Sequence, residues 1–573
     1  MARYVSPTWA NGTEPALSAE NLQPLTDTVE KLQPYIVEIT SNTTAESILP
    51  GIVDAVDAGY EVALKWAYQP YPSEPTLVLT CLMPLVQHMK RGNQGWYYFG
   101  SVCIYNGYHT AFCAGLQFVG SSVQEWYMTP RATRLVDFEN IVSTPTKNST
   151  FPISSGGVYN ALESRYHRVY GFHINGNESD PDAAVTYLAD AVGATPAKMN
   201  YSTGVCGWGS WSDAFFLPRP CMLKYDGTVD YYLDPSDYGK KADGTASDVA
   251  DSAYAGNAMM EWGQNGKKIW YKIVPDSGDS TSASVYIADY QADDGFHAWS
   301  FINNTGEMAD HFYTPIYNGT IDTAGKLRSI SGLLYSDLCQ GLTPAQEVAA
   351  AEENNFDGPK LWYTEVYSDV VLINLLLILM GKSLDTQAVF GNGRCAQTGI
   401  ASSMLGTGTL DTAGLFYGYN DKTHAVKVFG MENWWGNQLR RYAGHIINVD
   451  RVHKYKLTRG TQDGSTASDY VISSTASDFS GYLTGDASPS TNDYVTSMTF
   501  SNNTFVPKTA SGGTSATFWC DYWYSTAGLR YALRGGYCGS SVGIVGPFYD
   551  YFAGTPTTAA WNYGAALSCK PQA

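Results

Sequence analysis

Apolar positions along the chain change period more than once, and each period predicts its own kind of element. Near the start Leu22, Leu25, Val29, Leu32, Ile36 and Ile39 recur at intervals of three and four. That spacing gives a helix one apolar seam for a partner helix, and it predicts association through the N-terminus. Pro24 and Pro34 fall inside the run and would interrupt a continuous helix. Two short amphipathic helices packed on their own domain satisfy the pattern equally well. From Thr76 to about Asp137 the chain changes to short aromatic and β-branched runs separated by Gly and Asn. Within it, Gly95 to Tyr105 and Phe112 to Val119 read as antiparallel strands of a first domain. Ser143 to Gly157 is rich in Thr, Ser, Pro, Asn and Gly, a composition that solvates well and punctuates structure. The expected organisation is a first domain over 1–142, a linker over 143–164 and a larger part over 165–573.

Beyond the linker the pattern stays rich in strands and turns, with Asp226-Gly227, Asp243-Gly244 and Asp293-Asp294-Gly295 as turn sites. Two helices stand out. Thr343 as N-cap, Pro344 at the first helical position and Gln346 three residues after the cap open one that runs to about Asn354, before Gly358-Pro359 ends it. The other covers about Tyr363 to Lys382 and is apolar nearly all round in its second half, which predicts cover on most sides. After Asn437 short strands return to the end, and the polar runs Thr461 to Ser468 and Asp486 to Asn492 read as surface loops. A few helices among many short strands predict an α+β class, with a leading β-rich portion over 165–255 and a core over 256–573.

Length and composition narrow the function classes. A chain of 573 residues exceeds what one core organises, so about two to four domains are expected. Only 16% of residues are charged, while Tyr, Trp and Phe number 42, 15 and 21, so the surface must be polar and aromatic rather than ionic. A net charge of −19 repels phosphates at long range and argues against nucleic acid as a partner. The ten cysteines are scattered, without a C-x-x-C pair or a Cys/His cluster at zinc spacing, and are expected to be mostly buried free thiols. No basic flank and apolar h-region follow Met1, so synthesis in a cytoplasm is expected. The longest apolar run, Val370 to Met380, contains Asn374 and falls short of the ~20 residues a membrane helix requires. It predicts a core helix and no membrane insertion.

A series of phrases in fixed order says more. The linker reads Lys147-Asn148-Ser149-Thr150-Phe151-Pro152-Ile153-Ser154-Ser155-Gly156-Gly157-Val158-Tyr159-Asn160-Ala161-Leu162. Tyr170 to Asn175, Pro220 to Leu223, Asp226 to Leu233, Lys268 to Lys272 and Lys326 to Gly332 follow. Then come Lys382-Ser383 with Gln387, Gly391-Asn392-Gly393, and Gly430-Met431-Glu432-Asn433-Trp434-Trp435-Gly436-Asn437. The close runs from Arg530-Tyr531-Ala532-Leu533-Arg534-Gly535-Gly536 through Gly543 and Gly546-Pro547-Phe548-Tyr549 to Trp561-Asn562-Tyr563-Gly564-Ala565-Ala566-Leu567-Ser568. In number and order these segments, over about residues 145–573, resemble tail-fibre and adhesin proteins of bacterial viruses. The closing stretch, 530–569, resembles the variable repeat of proteins diversified by retroelements, which use a C-type-lectin-like fold of the formylglycine-generating-enzyme type.

The resemblance implies a virion tail receptor-binding protein: an N-terminal attachment and oligomerisation region, and a C-type-lectin-like tip that recognises a host-cell surface receptor, glycan or protein. It also implies other tail proteins as partners and a homotrimer. Read from the residues alone, Gly535, Gly536, Gly543, Gly546 and Gly564 permit tight turns, while Leu533, Phe548, Trp561 and Leu567 can anchor strands in the core. Between those anchors lie Tyr537, Gly539, Ser540, Ser541, Asp550, Tyr551, Phe552, Thr555, Asn562 and Tyr563, a mixture like that of antibody paratopes. These ten are the expected ligand-binding residues. The same residue types also serve as ordinary turn and edge-strand positions.

No enzyme chemistry gathers comparable support. Cys538 follows the Gly-Gly turn, but the next cysteine is Cys569, so the close copper-binding pair of formylglycine-generating enzymes is absent. Asp226, Asp230, Asp234 and Asp237 cluster in sequence and are candidates for the paired carboxylates of a polysaccharide depolymerase or for calcium. Their spacing does not fit an EF-hand loop, and Asp among Gly and Pro is ordinary turn chemistry. The nine histidines show no H-E-x-x-H pattern, Ser540-Ser541 is not in a G-x-S-x-G elbow, and Gly391-Asn392-Gly393 is too short for a phosphate loop. The expectation is a binding protein without catalytic residues, cofactor or metal. A ligand-display protein with no virion role and a tail-associated depolymerase are the alternatives.

Overall fold

The structure is a computed structural model. It describes residues 167–356, 360–457 and 483–571, together with Gly51, Ala55 and the backbone of the strands between residues 35 and 128. The chain forms two compact units, Met1–Tyr166 and His167–Ala573. The expected linker at 143–164 lies outside the described residues.

In the first unit Tyr35–Ile39, Val62–Tyr68 and Leu77–Met83 make a three-stranded sheet whose first pair is parallel. Leu85–Arg91, Gln94–Tyr105, Tyr108–Val119 and Ser122–Met128 make an antiparallel four-stranded sheet. The two long strands fall where the aromatic and β-branched runs predict them. Ile36 and Ile39 correct the helical seam, because they sit in a strand. The segment Tyr-Ile-Val-Glu-Ile is dominated by β-branched residues, whose restricted χ1 suits a pleated surface better than a helix. Leu22 to Leu32 lie outside the described residues.

Strands dominate the second unit as well, and the sheets are mainly antiparallel, so the architecture is mostly β and fits the expected α+β class only loosely. The helices are too few and too short to form a layer of their own. One sheet has seven strands, from Asp237–Lys241 at one edge to Trp362–Thr364 at the other, and a second has four around Asp279–Ala288 and Val169–Ile174. The third has nine, in the order Leu483–Ala487, Val452–Tyr455, Leu439–Ile447, Arg530–Arg534, Asp550–Phe552, Tyr522–Ser525, Asp493–Ser501, Thr504–Ala510, with Tyr563–Ala565 also paired to Leu439–Ile447.

Helix α1 (Pro344–Glu352) starts as its sequence requires: Thr343 Oγ1 accepts from the Gln346 amide, and the Gln346 side chain accepts from the Thr343 amide at 3.0 Å. Helix α2 (Tyr367–Gly381) is buried at every position. It starts later than the apolar pattern predicts, because Trp362–Thr364 is taken into the seven-stranded sheet. Leu372, Leu375, Leu376 and Leu379 are all fully enclosed. Each such side chain contributes about 1.5–3 kcal/mol of burial. Asn374, the one polar residue in the run Val370 to Met380, is satisfied: its Nδ2 donates to the Pro547 carbonyl at 2.9 Å and its Oδ1 accepts from Trp434 Nε1 at 3.0 Å. The core helix is thereby tied both to Trp434 and to Pro547 within the C-terminal segment. A short α3 (Thr386–Phe390) follows, capped by Asp385. Among the described residues no helix is long and apolar enough to cross a membrane.

Candidate functional site

Buried charge sets the frame of the C-terminal segment. Arg534 is fully enclosed; its Nη2 donates to Glu365 Oε2 at 3.1 Å and its Nη1 to the Trp434 carbonyl at 2.5 Å. Its guanidinium also lies 3.5 Å over the Trp434 ring. Arg440 on the neighbouring strand donates to Glu365 Oε1 at 3.1 Å, so one buried carboxylate holds two guanidinium groups. Gly535 and Gly536 then turn the chain with φ of +83° and +76°. A Cβ on Gly536 would stand 2.4 Å from Val545 Cγ1, so glycine is required both for the angle and for the space.

Strand pairing sorts the side chains beyond that turn. Tyr522–Ser525 runs parallel to Asp550–Phe552, with Trp523 opposite Asp550 and Tyr524 opposite Tyr551. Successive side chains leave a strand on opposite faces. Trp523 and Phe552 accordingly turn inward, both fully buried, with ring centroids 5.1 Å apart. Tyr522, Tyr524, Tyr549 and Tyr551 take the outer face. Tyr524 stacks on Tyr551 at 4.8 Å and 12°, Tyr549 lies 6.3 Å from Tyr551, and Tyr522 lies 6.5 Å from Tyr549. Tyr494 joins Tyr522 edge-on at 5.4 Å, Tyr563 meets Tyr551 at 6.0 Å, and Tyr537 meets Trp561 edge-on at 5.7 Å.

Tyr494, Tyr522, Tyr524, Tyr537, Tyr551 and Trp561 remain half-exposed, while Tyr549 and Tyr563 are buried among them. Stacked rings cover one another's faces, so this row offers a ligand ring edges and phenol hydroxyls. Burial raises the phenol pKa of Tyr537, Tyr549 and Tyr551 above the ordinary value, and each keeps its proton at neutral pH. The face can donate and accept hydrogen bonds without carrying charge. No family model matches the chain, and no curated protein matches it.

The ten expected binding residues divide. Tyr537, Tyr551 and Tyr563 come together in one aromatic cluster with Tyr549 and Tyr522. Tyr563 is a correction, since it is buried and supports the row rather than facing a ligand. Phe552 is a second: the two-residue period that exposes Tyr551 sends it to the core. Asp550 is a third, its carboxyl turned inward to within 3.1 Å of Tyr442 Oη. Ser540 is a fourth; it is buried, its Oγ accepts from the Tyr537 amide and its carbonyl accepts from the Ala396 amide, at 3.1 and 2.6 Å. Ser541 is exposed, and Thr555 closes its own turn against Thr558 Oγ1 at 2.8 Å. Asn562 is half-exposed, its carbonyl accepting from the Leu439 amide at 3.0 Å. Gly539 permits close approach, because a Cβ there would stand 2.9 Å from Gly399 Cα.

Tyr494, Tyr522, Tyr524 and the exposed Ile400 were invisible to the sequence reading. The three tyrosines precede the closing stretch and reach it only by strand pairing, although the alternation Tyr522-Trp523-Tyr524 carries a two-faced signal. Ile400 arrives because the Gln397 amide bonds the Cys538 carbonyl at 2.7 Å, which lays the 396–400 loop beside Tyr537.

The acidic cluster does not assemble as a site. Asp226 and Asp234 cap turns by accepting from Thr228 and Ser236, while Asp230 and Asp237 pair with Lys224 and Lys240, each at 2.8 Å. Among the described residues no group of three His, Cys, Asp or Glu side chains could hold a metal ion. The seven described cysteines are free and buried, and burial pushes the Cys395 thiol up to about 11.

Proposed function

We propose that this chain is a receptor-binding adhesin of a bacterial virus tail, and that it binds a host-cell surface ligand noncovalently through the tyrosine face. The observation that carries the reading is the row formed by Tyr494, Tyr522, Tyr524 and Tyr551, half-exposed on a sheet whose other side is locked by Trp523 and Phe552. A rigid aromatic surface supplies contact area at small entropic cost, which is how paratopes and interface hot spots work. The reading takes His167–Ala573 as a C-type-lectin-like tip. What supports that assignment is the return of the last strands into sheets laid down earlier. Leu567–Cys569 pairs with both Phe312–Pro315 and Trp362–Thr364, so the turns before it can vary on a fixed frame. The first unit would attach the tip to other tail proteins, and a homotrimer would convert weak contacts into avidity. Retroelement diversification of 530–569 belongs to the same reading. A gene neighbourhood with tail genes, or with a reverse transcriptase and a template repeat, would favour it.

The test is labelling of intact bacteria from a broad panel by wild type and by a Tyr524→Ala/Tyr537→Ala/Tyr551→Ala variant shown to be folded. Labelling by wild type that the triple variant loses is the expected result. Labelling that survives would move the binding face elsewhere, and a panel with no labelled strain would count against adhesion.

A further inference from the structure

Directly under the tyrosine face a continuous chain of polar groups runs inward from half-exposed Asp550. Tyr442 Oη lies 3.1 Å from Asp550 Oδ1 and 3.1 Å from His445 Nδ1. His445 Nε2 lies 2.9 Å from His453 Nδ1, and His453 Nε2 lies 3.1 Å from the Pro507 carbonyl. Tyr442, His445 and His453 are all buried. The protons can be counted from the far end. A carbonyl only accepts, so His453 Nε2 must donate to Pro507. Neutral His453 then accepts at Nδ1, which obliges His445 Nε2 to donate and His445 Nδ1 to accept. Tyr442 must spend its one proton on His445. The remaining contact is a hydrogen bond only if Asp550 carries a proton and donates it to Tyr442.

We propose that Asp550, Tyr442, His445 and His453 form a one-proton switch under the tyrosine face: the chain is fully bonded only while Asp550 is protonated, and loss of that proton to solvent loosens the Asp550–Phe552 strand that carries Tyr551. The regulation of the face rests on the adhesin reading; the switch itself does not. The surroundings favour neutral groups. Burial pushes the Asp550 carboxyl up to about 7, pushes His453 down to about 4 and holds His445 well below its ordinary value. The charged or titratable groups around Asp550 are Arg534 from the adjacent strand, whose charge is taken by Glu365, Asp521 beyond Trp523, and Tyr367 of α2; Asp486 acts on His453. When Asp550 ionises, Tyr442 can serve the carboxylate or His445 but not both, and one buried partner goes unpaired.

Two measurements on the full chain test this without any ligand. Infrared difference spectra, wild type minus Asp550→Asn, should show a protonated-carboxyl band at mildly acidic pH that vanishes as pH rises through about 7, over the bands that buried Glu347 and Glu432 give in both proteins. Amide hydrogen exchange of residues 549–552, corrected for the intrinsic rate, should lose about tenfold protection across the same transition, the worth of one buried hydrogen bond. In Asp550→Asn, whose amide donates to Tyr442 at every pH, protection should be flat. Tyr442→Phe is the second variant, for use if Asp550→Asn does not fold: it removes the acceptor of the protonated carboxyl and costs the neutral state one hydrogen bond more than the ionised state, so the midpoint must move downward. No band in the difference spectrum, a protection loss that persists in Asp550→Asn, or a midpoint unmoved or raised in Tyr442→Phe overturns the switch. Labelling of bacteria at both pH values then separates the two readings. A proton transition with no labelled strain supports the switch and counts against adhesion, whereas pH-dependent labelling without the transition overturns the switch and spares adhesion.

Discussion

Glu365→Gln is the most demanding test of how the face is held. The wild-type carboxylate is almost fully enclosed and faces two guanidinium groups, Arg440 at 3.1 Å and Arg534 at 3.1 Å, themselves buried. Arg534 stays charged in neutral solution, since burial lowers it only to about 10. Glutamine keeps the shape and one acceptor oxygen, but it removes the negative charge and turns an amide donor toward donors. Two enclosed cations would then share no counter-charge. Breaking a buried pair in this way costs about 3–5 kcal/mol, because the orphaned charge keeps its desolvation penalty and loses its compensation. The magnitude should lie at the upper end, since both cations lose their partner at once. The assay is urea denaturation at pH 7, followed by tryptophan fluorescence, with the loss read from the shift in midpoint at constant slope. A loss below about 1 kcal/mol, the level of an exposed pair, would refute the reasoning that this triad is a desolvated anchor.

Three further outcomes follow from the same geometry. Phe552→Ala should cost about 3–5 kcal/mol as a core truncation, whereas Tyr551→Ala, one residue away on the half-exposed face, should cost clearly less in the same titration. Gly536→Ala should cost at least about 2 kcal/mol, since it combines a left-handed φ with a methyl group driven into Val545, and calorimetry of the variant checks it. Glu347 and Asp550 are held at about 7 by burial. Their unfolded values lie near about 4, so their stability is full below that pH and is lost as pH rises through 7. His445 and His453 are depressed, so theirs is present above about 6.5 and is lost as pH falls through their folded values. Between pH 6.5 and 8 the carboxyl effect outweighs the opposing one of buried Lys427, lowered to about 8, and the urea midpoint should fall across that interval; a rise would contradict the assignments.

Local chemistry was legible where the cause is local. The capping box at Thr343 and Gln346 and the helix-compatible Pro344 need only their own neighbours, and α1 begins where they place it. The all-round apolar run is buried at every turn of α2, because no face of it can meet water without loss. The glycines at 535 and 536 announced a tight turn, and the structure supplies the reason in the positive φ and the nearness of Val545. The tertiary structure alone decided which side of each short strand faces out. Asp550–Phe552 has three residues, too few for a period to show, and its sides are fixed by pairing with Tyr522–Ser525 and Arg530–Arg534. That pairing buried Phe552, turned the Asp550 carboxyl toward Tyr442, and brought Tyr494, Tyr522 and Tyr524 to a face that the closing stretch alone could not complete. Similarity in composition between a paratope and a turn is local information; the sorting of one from the other is a property of the sheet.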